Sequence, residues 1–269
     1  PRIQSIDDKT LHPREHKQRR RERRLTMKSF YSKIILWLVG VSLEFGGKSW
    51  SFPVMIAPTP PRSLPKVTRY SFVDFSAPGE WESFYQESSS QAVLEWHASV
   101  SLDRIASYIP QQTHRDGADV LIIGCGNSKL PATIRSHFAT ANIFLLDSSP
   151  TCLDQLMELY GSDMEYVCGN AVKLKQIFLN RTFDIIIDKG LSDAIFCSEG
   201  WNGPLEELYT GAASILRPRI GRYLLVSYRL PTATKEFLEQ IGQNGGLKWE
   251  FDIKTDSNER VGVSLATKR

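Results

Sequence analysis

Short continuous apolar runs alternate along the chain with stretches in which apolar residues recur every three or four positions. Val120-Leu121-Ile122-Ile123 is the first clear run and stops at Gly124; Ile143-Phe144-Leu145-Leu146 is the second and stops at Asp147. Runs of four apolar residues without polar alternation predict strands covered on both faces, as in a parallel sheet. Met164 to Cys168 predicts a third strand, Phe183 to Ile187 a fourth ending at Asp188, and Tyr223 to Val226 a fifth. The segments between them read as helices. Ser149-Pro150 offers a cap and a first-turn proline to a helix carrying Leu153, Leu156, Met157 and Tyr160, which Gly161 stops. Residues 205–216 and 233–242 predict two more helices. Upstream, Ser88 with Gln91 three residues later has the form of a capping box, which predicts a helix with Val93, Trp96 and Val100 on one face, reaching about Ile109. Trp249 to Ile253 and Val261 to Ala266 close the chain as strands with no helix between them, joined by a turn at Asp256-Ser257-Asn258. The fold class is therefore α/β, a doubly wound seven-strand sheet with right-handed crossovers and a C-terminal antiparallel hairpin.

The first 67 residues do not join this alternation. Residues 14–24 are crowded with Arg14, Lys17, Arg19, Arg20, Arg21, Arg23 and Arg24 and hold almost nothing apolar, a composition that predicts disorder. From Met27, two lysines precede the apolar stretch Ile34 to Val41. That stretch is too short for a membrane span, which takes about 20 residues. Residues 27–50 have the layout of a leader or organelle-targeting segment, although no A-x-A cleavage site follows. Pro53, Pro58, Pro60, Pro61 and Pro65 then read as an extended linker. The expected organisation is a basic, targeting-like segment and linker over 1–67 and one domain over 68–269. The location expected for it is cytoplasmic, or an organelle if residues 27–50 are a targeting segment.

Charge narrows the partners. Residues 1–33 carry 11 Lys/Arg against 4 Asp/Glu, whereas the remaining 236 carry 22 against 26. A mildly acidic body lacks the cations that phosphate contacts need, so no nucleic-acid partner is expected. Cys125, Cys152, Cys168 and Cys197 are separated by 27, 16 and 29 residues, without a CxxC, so no metal site is expected and the thiols read as reduced. The oligomeric state is left open.

Ligands of open α/β sheets bind where strands end at the carboxyl edge. Three polar clusters fall there. Gly124-Cys125-Gly126-Asn127-Ser128 follows the first strand; its glycines allow close backbone approach, and Ser128 can cap a helix whose N-terminal amides attract a carboxylate. Asp147, with Ser148 beside it, lies 21 residues after Gly126, the spacing at which an acid accepts hydrogen bonds from a ribose diol. Asn170 and Ala171 follow the third strand, where an Asn suits the edge of adenine. The ligand is then a dinucleotide or S-adenosylmethionine. A dinucleotide needs a third small residue where the pyrophosphate meets the helix, and that position is Lys129. S-adenosylmethionine carries no phosphate and tolerates the loss.

The segment Val120 to Ser128 resembles the first motif of class I methyltransferases, the Rossmann-like seven-strand family. Asp184-Ile185-Ile186-Ile187-Asp188-Lys189-Gly190 followed by Asp193-Ala194, together with Glu80-Trp81-Glu82-Ser83-Phe84-Tyr85, Leu94-Glu95-Trp96 and Gly221-Arg222-Tyr223-Leu224, is similar to the methyltransferase-like group that methylates lysines or the N-terminus of elongation factor 1-alpha. The similarity runs from about residue 70 to the end. It implies an S-adenosylmethionine-dependent methyltransferase, probed first on elongation factor 1-alpha as protein substrate. The sequence departs from that group at Asn170, where Asp is usual, at Leu191-Ser192, and at His97, where Tyr is usual.

Methyl transfer from a sulfonium is an in-line displacement that needs alignment and exclusion of water. A lysine acceptor must first lose a proton, since its ordinary pKa is about 10.4. The expected site is Asp188 and Asp193 orienting the amine, Asp188 also lying near the cofactor, with Trp81 and Trp96 walling the channel because aromatic faces attract an ammonium. The cofactor set is Gly124, Cys125, Gly126, Asn127, Ser128, Asp147, Ser148, Asn170, Ala171 and Asp188. Two alternatives stand beside protein methylation: a small-molecule methyltransferase, with room provided by the insert around Trp201 and Gly203, and a non-catalytic scaffold of the same fold.

Overall fold

Five parallel strands carry the apolar runs. In the computed structural model, which describes residues 78–87, 93–109, 117–253 and 259–269, they are β1 (Asp119–Ile123), β2 (Asn142–Asp147), β3 (Glu165–Cys168), β4 (Ile185–Lys189) and β5 (Arg222–Tyr228). β6 (Leu247–Glu250) and β7 (Val261–Lys268) complete one sheet in the order β3-β2-β1-β4-β5-β7-β6. β7 runs antiparallel between β5 and β6, as expected of a hairpin without a crossover helix. Leu121, Ile122, Ile123, Leu145, Leu146, Ile185, Ile186, Ile187, Leu224 and Leu225 are all buried, because helices cover both faces of the sheet. At roughly 25 cal/mol per Å² of apolar surface, this is where most of the folding drive lies.

The helices are α1 (Pro78–Glu87), α2 (Leu102–Ser107), α3 (Leu130–His137), α4 (Pro150–Tyr160), α5 (Leu174–Ile177), α6 (Leu191–Phe196), α7 (Asn202–Ile215) and α8 (Thr232–Gly245). α4 has the expected punctuation: Ser149 Oγ accepts the Cys152 amide at 3.0 Å, Pro150 opens the helix, and Gly161 ends it with φ +68°. It buries Cys152, Leu153 and Leu156, but Met157 lies outside that face at 48% exposure.

Three expectations need correction. No helix covers 93–100: the chain is irregular there, and a short helix begins only at Leu102, with Ser101 Oγ accepting the Arg104 amide. The polar groups of that stretch are used in long-range bonds described below, which outweigh a weak helical periodicity. The fourth strand starts at Ile185, because Asp184 is buried at its foot, where it accepts the Asp119 amide at 2.9 Å and Arg217 Nε at 2.8 Å. The sixth strand starts at Leu247, directly after the left-handed Gly246, and stops at Glu250 because Asp252 adopts φ +50°. The capping box at 88–91, the turn at 256–258, and residues 1–67 with the boundary near 68 lie outside the described residues. Among the described residues no helix is long and apolar enough to cross a membrane.

Strand order reverses between β2-β1 and β4-β5, so β1 and β4 meet at the switch point. Their register sets Asp188 level with Ile123, while Asp147 pairs with Cys168 one step beyond Leu146. The glycine loop, Asp147 and Asp188 therefore share one edge of the sheet.

Candidate active site

The loop after β1 turns through two glycines in the left-handed region, Gly124 at φ +54° and Gly126 at φ +53°. A Cβ on Gly124 would stand 2.9 Å from Leu191 Cβ, and one on Gly126 would stand 2.9 Å from the Tyr85 hydroxyl. Both positions need glycine for conformation and for space. Asp147 pins this loop. Its Oδ2 accepts the Gly126 amide at 3.0 Å and its Oδ1 accepts the Ser149 amide at 3.0 Å. Burial pushes the Asp147 carboxyl up, against the pull of backbone amides including that of Ser148. The side chain of Cys125 is buried beside Cys152, and burial raises its thiol well above the usual range. These residues form a cradle of small side chains and backbone amides at the carboxyl edge of the sheet.

Elsewhere the cofactor set behaves differently from expectation. Ser128 Oγ does accept the Leu130 amide at 3.0 Å, as a cap, but the carboxylate at this helix start belongs to the chain itself. Glu95 accepts from Ser128 Oγ at 2.8 Å and from the Lys129 amide. Asn127 Oδ1 accepts the Leu94 amide at 3.0 Å, so the loop before α2 is laced onto the glycine loop. Asn170 caps a short turn, its Oδ1 accepting the Val172 amide at 3.1 Å, with Ala171 buried behind it. That oxygen is thus committed to backbone.

At the end of β4, Asp188 is fully buried. It accepts from Ser192 Oγ at 2.6 Å, Tyr223 Oη at 2.8 Å and the Ser192 amide at 3.2 Å, and Ser192 Oγ also meets Tyr209 Oη at 2.7 Å. Burial lifts its carboxyl to about 6. Its three donors come from its own fold, so it fastens α6 to β4 and β5 and does not stand with the acceptor group expected of it. Lys189 Nζ pairs with Glu95 Oε2 at 3.1 Å and donates to the Trp96 carbonyl at 2.9 Å. Gly190, at φ +89°, lets β4 turn into α6 beneath Trp96 and His97.

Asp193 stands apart from Asp188 in its partners. Its Oδ2 meets His97 Nε2 at 2.8 Å and accepts the Tyr228 amide at 3.3 Å. The His97 ring is buried edge-on to Tyr228, with centroids 4.8 Å apart. His97 itself lies at φ +59°, a strain of roughly 1–3 kcal/mol for a non-glycine residue. His97 Nδ1 and Asp193 Oδ1 are enclosed and have no hydrogen-bond partner among the described residues. Each such atom carries a desolvation cost of about 1–3 kcal/mol. Trp81 and Trp96 meet edge-on at 5.9 Å, and Trp81 stacks on Tyr85 at 6.2 Å. Glu82 fixes this aromatic helix by accepting from Ser149 Oγ and Thr151 Oγ1, which lowers its carboxyl.

The structure therefore gathers Gly124, Gly126 and Asp147 on one side and Asp193 and Trp96 on the other, with Trp81 between Tyr85 and Trp96. Sequence reasoning missed Glu95, Tyr85 and the role of His97. The signals available were the departure from the usual Tyr at His97 and the two upstream motifs that contain Tyr85 and Glu95.

No family model matches the chain. The eEF1A lysine and N-terminal methyltransferase of Mus musculus is 27% identical over 169 residues, which is 62% of this chain and 22% of that protein. The citrate synthase-lysine N-methyltransferase CSKMT, mitochondrial, of Danio rerio is 25% identical over 202 residues, 68% of this chain and 79% of that protein. The chain thus spans about a fifth of the length of the first of these. A solved S-adenosylmethionine-dependent methyltransferase from Clostridium acetobutylicum superposes with a TM-score of 0.51 at 12% identity, covering 64% of this chain and 93% of its own. The α/β fold expected from the sequence, a seven-strand sheet ending in antiparallel strands, is the fold of that enzyme.

Proposed function

We propose that this protein is an S-adenosylmethionine-dependent methyltransferase whose acceptor is an amine on a protein, a lysine or an N-terminus. The observation that carries the reading is the cradle at the β1–β2 edge: two left-handed glycines whose amide line is held by Asp147. Gly124 and Gly126 let the ligand approach the backbone, and Asp147 accepts from the ribose hydroxyls. When bound, the cofactor supplies a methyl group on a positively charged sulfur. Across the site, Trp81 and Trp96 wall the approach and exclude water, and Asp193 draws the acceptor ammonium into place. Relatives whose names carry lysine methylation support a protein acceptor, with elongation factor 1-alpha the first to try.

Tritiated S-adenosylmethionine incubated with the protein and a cell extract tests this directly. Label that precipitates and is released by protease supports the reading; label only in small molecules would replace it with a metabolite acceptor. No label, with cofactor still bound, would indicate a scaffold. We place the protein in the cytoplasm, with an organelle as the alternative if residues 27–50 direct it there, as the mitochondrial name of one relative suggests. A reporter fused to residues 27–50 decides between them.

A further inference from the structure

His97 is held in a backbone conformation that a non-glycine residue avoids, and its ring is locked by a single strong partner. Asp193 Oδ2 binds Nε2 at 2.8 Å, with the two side chains 1% and 11% exposed. Asp193 Oδ2 also accepts the Tyr228 amide, so it is the acceptor toward the ring and Nε2–H is the donor. Nδ1 then carries a lone pair, and neither it nor Asp193 Oδ1 has a hydrogen-bond partner among the described residues. A tether that only held the 93–100 loop would need neither enclosed acceptor. The ring sits over Gly190, whose Cβ would lie 3.4 Å from Nε2, and beside Tyr228. It is therefore at the carboxyl ends of β4 and β5, on the sheet edge that also bears the glycine loop.

We infer that His97, polarised by Asp193, is the base that takes the proton from the acceptor amine before methyl transfer. This rests on the protein-amine reading above. The acceptor N–H bond breaks and its proton goes to Nδ1; the nitrogen lone pair then forms the bond to the methyl carbon. The electron pair of the broken S–C bond stays on sulfur, leaving a neutral thioether, and the imidazolium later gives its proton to water. The groups facing the ring favour this. Asp193 from α6 stabilises the imidazolium. Tyr228 from β5 is neutral and edge-on. Of the cations on that side, Lys189 from β4 is paired with Glu95 on the ring's own loop, and the charge of Arg260 is felt at Tyr228. Asp188 is turned to Ser192 and Tyr223 and makes no bond to the ring.

The test uses the full chain, tritiated S-adenosylmethionine and a soluble protein extract as acceptor. Rate into protease-sensitive precipitate is measured at pH 7.5 and pH 10, with cofactor affinity by calorimetry. His97→Gln should bind cofactor within about twofold of wild type and lose roughly 100-fold or more in rate at pH 7.5. That deficit should shrink to below about tenfold at pH 10, because a lysine with its ordinary pKa of about 10.4 then supplies free amine unaided. Asp193→Asn preserves the shape of the pair and should show the same trend, so it decides the matter if His97→Gln melts far below wild type. A deficit of equal size at both pH values, or one tracked by lost cofactor affinity, would show a tether and overturn the inference. If wild type labels no protein at all, the protein-amine reading has failed, and the role of His97 falls with it.

Discussion

The β1–β2 end of the site and the β4–β5 end share one edge of the sheet but are held by different kinds of bond. At β1–β2 the partners are close in sequence and mostly backbone: two left-handed glycines, and an acid 21 residues on that binds the Gly126 and Ser149 amides. At β4–β5 they are side chains far apart in the chain. Asp193 meets His97 from 96 residues away, Lys189 meets Glu95 from 94, and Tyr223 reaches back 35 residues to Asp188. The first end is a conformation that local sequence can specify. The second is an agreement between elements that only the finished sheet brings together.

The largest effect should come from breaking the conformational end. Gly124→Val forces a branched side chain into φ +54° and puts Cβ 2.9 Å from Leu191 Cβ. Leu191 cannot yield without moving α6. Cofactor binding should vanish in calorimetry, and the melting temperature should fall; retained affinity would mean the loop is not the cradle.

The networked end can be broken by titration instead. The Asp188 carboxyl is raised to about 6 by burial, against an ordinary value near 3.9. The folded state holds that proton more tightly than the unfolded chain, so its contribution is full below about pH 4 and is lost as pH rises through about 6. The difference between those two values corresponds to about 3 kcal/mol. Relative to Asp188→Asn, wild type should therefore lose stability between pH 4 and pH 6, read as a changing gap between urea midpoints. A constant gap would mean that the three donors hold the carboxylate ionised throughout.

Asp147→Ala sharpens the contrast on the cofactor side. Removing a charge-assisted acceptor should cost roughly 1.5–3 kcal/mol of cofactor affinity, about ten- to a hundredfold. Asp193→Asn, measured in parallel, should leave that affinity unchanged. Equal losses in both would erase the division of labour.

This division also explains what could be read from the sequence. β1, β2 and β4 were legible because each is an apolar run that ends at a glycine or an acid, and β5 because Tyr223 to Val226 is a run of the same kind. Gly124, Gly126 and Asp147 were legible because their spacing follows from one turn and one neighbouring strand. Glu95 was not, since nothing near it announces that its carboxylate caps α3 by binding Ser128 and Lys129, 33 and 34 residues on. Asp188 read as an acid facing the acceptor because its donors, Ser192 and Tyr223, are ordinary residues until packing encloses them. The stretch 93–100 carried a helical apolar spacing, yet Leu94, Glu95, Trp96 and His97 spend their polar groups on the loop and on α6 instead.

The smallest effect is expected from removing the whole front of the chain. Residues 1–67 combine a run of arginines, an apolar stretch of eight residues and five prolines within thirteen positions, and none of these shares the strand–helix alternation of the rest. Both ends of the site are built from residues beyond Glu80: the cradle from Tyr85, the glycine loop and Asp147, the network from Glu95, His97 and the ends of β4 and β5. A chain starting near Val67 should then melt within a degree or two of the full protein, bind S-adenosylmethionine equally, and show the same gap between Asp147→Ala and Asp193→Asn. A loss confined to cofactor affinity would assign the linker to the β1–β2 end. A loss confined to methyl transfer would assign it to the β4–β5 end, and a broad loss of stability would move the boundary upstream of residue 68.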